Sequence, residues 1–161
     1  MADAESRPVA DRAESIRNAR SNYLVYLAGI GVSVVSGILF KVAGSVGHEP
    51  VGPTMLLAGS LVGLSAFALL IVGLVRAYTG RKKAEETTAS HFRVQIRTFW
   101  ISLLYSVAVA LVTMILIPEV AEIVDLIAWI AVDGWFVIRC VKGLAHLIRR
   151  QPYPNPGTWL W

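Results

Sequence analysis

The sequence predicts an all-α integral membrane bundle of four transmembrane helices with both termini in the cytoplasm. The composition is the first observation: of the 161 residues, 55% are hydrophobic and 16% are charged. A soluble domain carries about a quarter charged residues, so this chain is too apolar for that class. Two further observations agree, because long uncharged runs recur along the chain and its basic residues are concentrated in alternate loops.

Three uncharged runs are long enough to cross a bilayer, at residues 21–40, 50–75 and 98–118. A transmembrane helix needs about 20 residues to cross roughly 30 Å of hydrocarbon. A fourth apolar run follows at residues 120–138, although it contains Glu122, Asp125 and Asp133. We therefore predict transmembrane spans at about residues 22–43, 54–76, 97–117 and 120–139.

The basic residues predict the orientation. Lys and Arg number four before the first span, one in the first loop, six in the second, none in the third and four after the fourth span. Because Lys and Arg are enriched in short cytoplasmic loops, both termini are predicted to be cytoplasmic in an inner, or plasma, membrane. These residues flank the spans, so the net charge of +4 indicates contact with lipid headgroups and no nucleic-acid partner.

The chain divides into a cytoplasmic polar lead at residues 1–21, a transmembrane domain at residues 22–150 and a cytoplasmic tail rich in Pro and Trp at residues 151–161. Within the domain, Gly80 is predicted to end the second helix, and Ser90 to cap the third. Pro118 breaks the third helix, so the third and fourth helices form a tight antiparallel hairpin.

Small residues recur at every fourth position on three helices and predict close helix packing. They are Gly29, Ser33 and Gly37 on the first helix, Gly59 and Gly63 on the second, and Ser102, Ser106 and Ala110 on the third. Small side chains let helix backbones approach closely in lipid, where burial of apolar surface gives no preference for protein over acyl chains. These stripes of small residues mediate either helix packing within a compact bundle or contacts between copies of the chain in a homo-oligomer.

Asp133 is the most unusual polar residue, because it lies about six residues, or roughly 9 Å, inside Arg139 along the helix. An ionisable side chain in the apolar layer costs several kcal/mol unless it is paired, neutralised or hydrated. The predicted hairpin brings Tyr105 and Arg97 toward it. Three roles stay open for Asp133: a hydrogen-bonded structural acid, a proton or ion relay, and a contact with a partner protein.

The segment at residues 90–101 carries the other candidate functional residues. His91 and Gln95 share one helical face, while Arg93 and Arg97 share another. Two cytoplasmic histidines and one cysteine make a weak case for a metal or haem, and the chain lacks a phosphate loop, a nucleophile elbow and paired catalytic carboxylates. We therefore predict no enzyme activity and no cofactor.

The residues Ser90-His91-Phe92-Arg93-Val94-Gln95-Ile96-Arg97-Thr98-Phe99-Trp100-Ile101 resemble a family of small uncharacterised bacterial membrane proteins with a domain of unknown function. That family is distantly similar to Tic20-like translocon components of the chloroplast envelope and to some magnetosome-membrane proteins. The resemblance covers roughly residues 90–160. It implies a helical bundle and no established catalytic activity.

These observations predict a small accessory, assembly or scaffold protein of a larger membrane system. Its expected partners are the lipid bilayer and either another membrane protein or further copies of itself. The alternative is a small transporter, or a proton- or ion-conducting unit, that uses Asp133.

Overall fold

Four antiparallel helices make up the fold in the computed structural model, which describes residues 3–46 and 51–158. They are α1 (Asp3–Val46), α2 (Val51–Lys83), α3 (Glu86–Thr113) and α4 (Pro118–Ile148). The α2–α3 turn and the tail after α4 lie at one end of the bundle, which we call the tail end. The C-terminal end of α1, the N-terminal end of α2 and the α3–α4 turn lie at the other, which we call the hairpin end. Residues 159–161 of the predicted tail lie outside the described residues.

Three helices are long and apolar enough to cross a membrane: Asp11–Ser45, Gly52–Lys83 and Glu86–Thr113. Within the described residues, α4 is not among them, because charged side chains interrupt its apolar stretch. Large apolar side chains on the bundle surface also agree with a membrane protein. Leu57, Leu64 and Ile115 are 63%, 66% and 83% exposed, an arrangement that is costly in water and favourable in lipid.

Two of the predicted helix boundaries differ in the structure. α2 continues through Gly80 to Lys83. Gly80 packs against the Phe92 ring there, since a methyl group added at Gly80 would lie 2.6 Å from Phe92 Cζ. α3 begins at Glu86, before Ser90, so Ser90 does not cap it. The tight α3–α4 turn is confirmed, and Pro118 occupies the first position of α4, where its missing N–H costs nothing.

α1 and α2 are the most closely packed pair. Ser36 Oγ donates a 2.8 Å hydrogen bond to the Gly59 carbonyl, and a methyl group at Gly63 would lie 2.9 Å from the same Ser36 Oγ. Gly29 contacts Leu70 in the same interface. Gly59 and Gly63 of α2 therefore lie against α1, where Ser36, which is outside the predicted stripe, makes the polar contact.

The core lies toward the tail end of the bundle. Its members are Ala19, Tyr23, Tyr26, Ile30, Leu74, Ala77, Phe92, Ile96, Phe99, Phe136, Cys140 and Leu147. The buried residues of α3 all lie between Thr88 and Ile101, and those of α4 lie between Phe136 and Leu147. The α3–α4 hairpin is therefore firmly packed at the tail end and more open at the hairpin end.

Candidate functional site

A buried amide network joins three helices at the tail end. Asn22 on α1 is fully buried, and its Nδ2 donates to the Gly73 carbonyl at 3.0 Å and to Gln95 Oε1 at 2.7 Å. Gln95 Nε2 donates in turn to the Ala19 carbonyl at 3.1 Å. Buried polar groups destabilise a fold unless they are hydrogen-bonded, so these bonds fix the positions of α1, α2 and α3 relative to each other.

His91 extends this network to the tail. Its ring is fully buried and edge-on to Tyr23, with Nδ1 3.3 Å from the Tyr23 hydroxyl and Nε2 2.9 Å from the Gln151 carbonyl. A carbonyl oxygen can only accept, so Nε2 carries the proton and Nδ1 accepts from the hydroxyl. The arrangement selects one neutral tautomer of His91.

Residues 151–158, which follow α4, fold back against α3, and we call this segment the strap. The Tyr153 N–H donates to Ser90 Oγ at 3.1 Å, and the Tyr153 ring lies between the rings of His91 and His146 at centroid distances of 6.2 and 5.9 Å. Burial raises the pKa of the Tyr153 phenol above its ordinary value, so the group stays neutral. The Tyr153 ring therefore contacts both histidines.

Arg139 holds the far end of the strap. It is only 1% exposed, its Nε donates to Thr98 Oγ1 at 3.0 Å, and its Nη1 donates to the Thr158 carbonyl at 3.1 Å. The guanidinium also lies over the Trp135 ring, 5.0 Å from the centroid. A buried cation requires such compensation, and the aromatic face and two oxygen acceptors supply it.

Asp133 lies apart from this network, nearer the hairpin end. Its Oδ2 is buried and has no hydrogen-bond partner. Tyr105, which the sequence places near it, instead packs edge-on against Trp135 at 5.9 Å. A cavity of about 410 Å³ opens beside Asp133 between α3 and α4, and we call it the α3–α4 cleft. Its lining includes Ser106 and Ala110, which are exposed.

The sequence-predicted residues therefore divide between two places. His91 and Gln95 lie in the tail-end network, whereas Asp133 and Ser106 line the cleft. Arg93 is exposed on α3 and Arg97 is half-buried there. Among the packing residues, Ser33 and Ser102 are half-buried, and Gly37 faces the Trp129 ring of α4.

Sequence reasoning missed five side chains of the tail-end network: Asn22, Tyr23, Thr98, Arg139 and Tyr153. A signal exists for two of them. Arg139 interrupts an apolar stretch from Phe136 to Val141, and Asn22 is an amide at the edge of an apolar run. Neither signal identifies a partner, because the bonds join residues as many as 76 positions apart.

No protein-family model, curated protein or solved structure matches the chain. Within the described residues, no group of three or more His, Cys, Asp and Glu side chains could hold a metal ion. The functional assignment therefore depends on the geometry of the tail-end network and the cleft.

Proposed function

We propose that the chain is a four-span protein of the cell inner membrane, with both termini in the cytoplasm, and that it is a non-catalytic assembly subunit. The α3–α4 cleft is the site that receives a transmembrane helix of a partner protein. The observation that carries this proposal is the buried Asp133 oxygen without a hydrogen-bond partner, which lies beside exposed small residues of α3.

Two features of α4 support the fourth span. The turn from α3 comprises only residues 114–117, so α4 must run back beside a helix that is apolar enough to span. Its Ile123, Ile127 and Ile130 are 61%, 63% and 59% exposed, which suits contact with acyl chains. The absence of basic residues in the turn supports a hairpin end outside the cytoplasm.

The chemistry of the cleft indicates the kind of partner. A carboxyl group in the apolar layer requires a donor, and a Lys, Arg, Asn or Gln on a neighbouring membrane helix supplies one. Ser106 and Ala110 let such a helix approach the α3 backbone closely. A second copy of this chain would bring another acid to the same contact, so charge complementarity favours a different protein.

Photo-crosslinking in membranes tests the partner. A photoreactive amino acid at Ala110, inside the cleft, should crosslink to a distinct membrane protein that has a basic or amide residue in a span. The same probe at Leu104, an exposed position outside the cleft, should crosslink to lipid. Crosslinks between differently tagged copies of the chain, or identical protein products at both positions, would contradict the proposal.

Two substitutions of Asp133 test the role of its carboxyl group. Asp133→Asn keeps the shape and the capacity to hydrogen-bond, so an Asn variant should retain the Ala110 crosslink at least partly. Asp133→Leu removes this capacity and should abolish the crosslink while the isolated protein keeps its thermal stability. A crosslink of unchanged yield in the Leu variant would show that Asp133 does not bind the partner.

Proton or cation conduction is the second candidate function. It is favoured by the position of Asp133 in a cavity that also contains Asp125, Ser106 and Thr113. If the protein conducts, vesicles that contain it should show a larger proton or cation flux than empty vesicles. This additional flux should be absent with the Asp133→Asn variant. If the wild type gives no flux, this candidate is eliminated and the assembly role stands on the crosslinking result.

A further inference from the structure

A second cavity lies between α1 and α4 at the hairpin end, and its volume is about 620 Å³. This volume falls within the range of about 300–1,000 Å³ that is typical of small-molecule sites. Its polar wall carries Lys41 and Ser45 from α1 and Glu122 and Asp125 from α4. Trp129 lines both this cavity and the α3–α4 cleft.

The floor of the cavity is apolar and closely packed. A methyl group at Gly37 would lie 2.9 Å from Trp129 Cζ2, so the absence of a side chain at Gly37 allows the indole to lie against α1. Phe40 and Leu126 also line the cavity and are 43% and 41% exposed. The lining therefore combines charged side chains with apolar ones that suit hydrocarbon.

The charged side chains of this wall are only partly paired with each other. Lys41 Nζ lies 3.9 Å from Asp125 Oδ2, longer than the 2.7–2.9 Å typical of a charge-assisted hydrogen bond. Both side chains are about half exposed, which leaves them accessible to a ligand. The wall has one cation and two carboxylates, so it suits a ligand with both a cationic and an anionic group, and with hydrogen-bond donors on the cation.

We propose that this cavity binds a phospholipid whose headgroup carries a primary ammonium beside its phosphate. The ammonium donates to Glu122 and Asp125, the phosphate contacts Lys41, and the acyl chains lie over Phe40 and Leu126. A choline headgroup has no N–H to donate, so the site discriminates against it. The inference depends on the membrane placement of α4 proposed above, and it is independent of the partner helix.

Native mass spectrometry of the full chain in detergent tests this site. Phosphatidylethanolamine and phosphatidylcholine with identical acyl chains are titrated separately, and soluble phosphoethanolamine serves as a third ligand. The ethanolamine lipid should bind about three- to fivefold more tightly than the choline lipid, the size expected for a partly exposed charged contact. Equal affinities for the two lipids would overturn the proposal, as would soluble phosphoethanolamine binding as tightly as the lipid.

The matched variants preserve net charge. Lys41→Gln combined with Glu122→Gln should reduce binding of the ethanolamine lipid to the level of the choline lipid. Lys82→Gln combined with Glu86→Gln makes the same changes at exposed tail-end positions and should leave the preference intact. An unchanged preference in the first double variant would exclude this cavity as the site. Surface labelling of a cysteine at position 119 separately reports whether the membrane placement is correct.

Discussion

At the scale of single residues, burial has its largest free-energy cost at the polar side chains of the tail end. Asn22 and Gln95 are almost completely buried, and together they make three hydrogen bonds that connect α1 to α2 and α3. The stability that these side chains provide depends on their partners, since an unpaired buried amide would cost more than the bond contributes. Their contribution should therefore be visible in single substitutions.

Replacing Asn22 with Leu should lower the stability of the bundle. The change preserves the approximate size of the side chain but leaves Gln95 Oε1 and the Gly73 carbonyl without their donor, at a cost of about 1–3 kcal/mol for a buried group. The measurement is the thermal unfolding midpoint in detergent. Asn18→Leu, one turn earlier and exposed, is the control and should leave the midpoint nearly unchanged. Equal midpoints for the two variants would contradict this account.

At the scale of secondary-structure elements, α4 changes character along its length. Toward the hairpin end it borders two cavities, and toward the tail end it packs into the core. Two glycines mark the difference. A methyl group at Gly143 would overlap the Tyr23 hydroxyl, whereas nothing lies within 4 Å of the same position at Gly134.

Alanine should therefore have opposite effects at these two glycines. Gly143→Ala forces the buried Tyr23 ring to move and should lower the unfolding midpoint, because overpacking costs about 1–3 kcal/mol. Gly134→Ala meets open space and should be neutral or stabilising, since Ala is favoured over Gly in a helix by about 0.5–1 kcal/mol. Detergent unfolding of both variants measures the difference. A Gly143→Ala protein as stable as the Gly134→Ala protein would show that α4 does not pack on Tyr23 in this way.

The strap after α4 is a second element whose position depends on few contacts. Its buried anchor is Tyr153, and its backbone bonds to Ser90 and His91 are individually modest. Such segments open locally when a single anchor is removed. Trypsin sites at Arg149 and Arg150 adjoin the strap and provide the measurement.

Tyr153→Ala should increase the rate of tryptic cleavage after Arg149 and Arg150, because it removes the ring that lies between the two histidines. Gln151→Ala is the matched control. The Gln151 side chain is exposed and only its carbonyl is used, so this variant should be cleaved at the wild-type rate. Equal cleavage of the wild type and Tyr153→Ala would indicate that the strap is not held by this side chain.

At the scale of the whole molecule, the tail end is held by polar bonds and aromatic packing, and the hairpin end borders the two cavities. This asymmetry agrees with the proposed assembly subunit, in which the packed tail end is cytoplasmic and the cavities of the hairpin end are the binding sites. The membrane orientation then decides which leaflet the two cavities meet. We predict that orientation from the positions of Lys and Arg.

Cysteine labelling in intact cells tests the orientation. A cysteine at exposed Glu119 should react with a membrane-impermeant maleimide, because the hairpin end is predicted to face away from the cytoplasm. A cysteine at exposed Lys83 should react only after the membrane is permeabilised. The native Cys140 is buried and gives a low background. Labelling of the cysteine at position 83 in intact cells would show that the orientation is the reverse of the predicted one.

The sequence by itself determined the helical class, the three apolar spans and the α3–α4 turn at Pro118. These features depend on neighbouring residues: the apolar content of a run decides whether it suits lipid, and a proline is disfavoured in the interior of a helix but tolerated in its first turn. The same local reasoning singled out Asp133, His91 and Gln95 as unusual polar residues. It brought Tyr105 toward Asp133, whereas the structure packs Tyr105 against Trp135, and it gave no partner for His91 or Gln95.

Only the tertiary structure decided which polar groups meet. Ser90 bonds the strap and does not cap α3, Gly80 accommodates Phe92 within α2 and does not end that helix, and Asp133 lines a cleft. Each outcome depends on a contact between different elements. Such contacts are set by the rotation and depth of whole helices against each other, and a helix must satisfy all of its contacts at once.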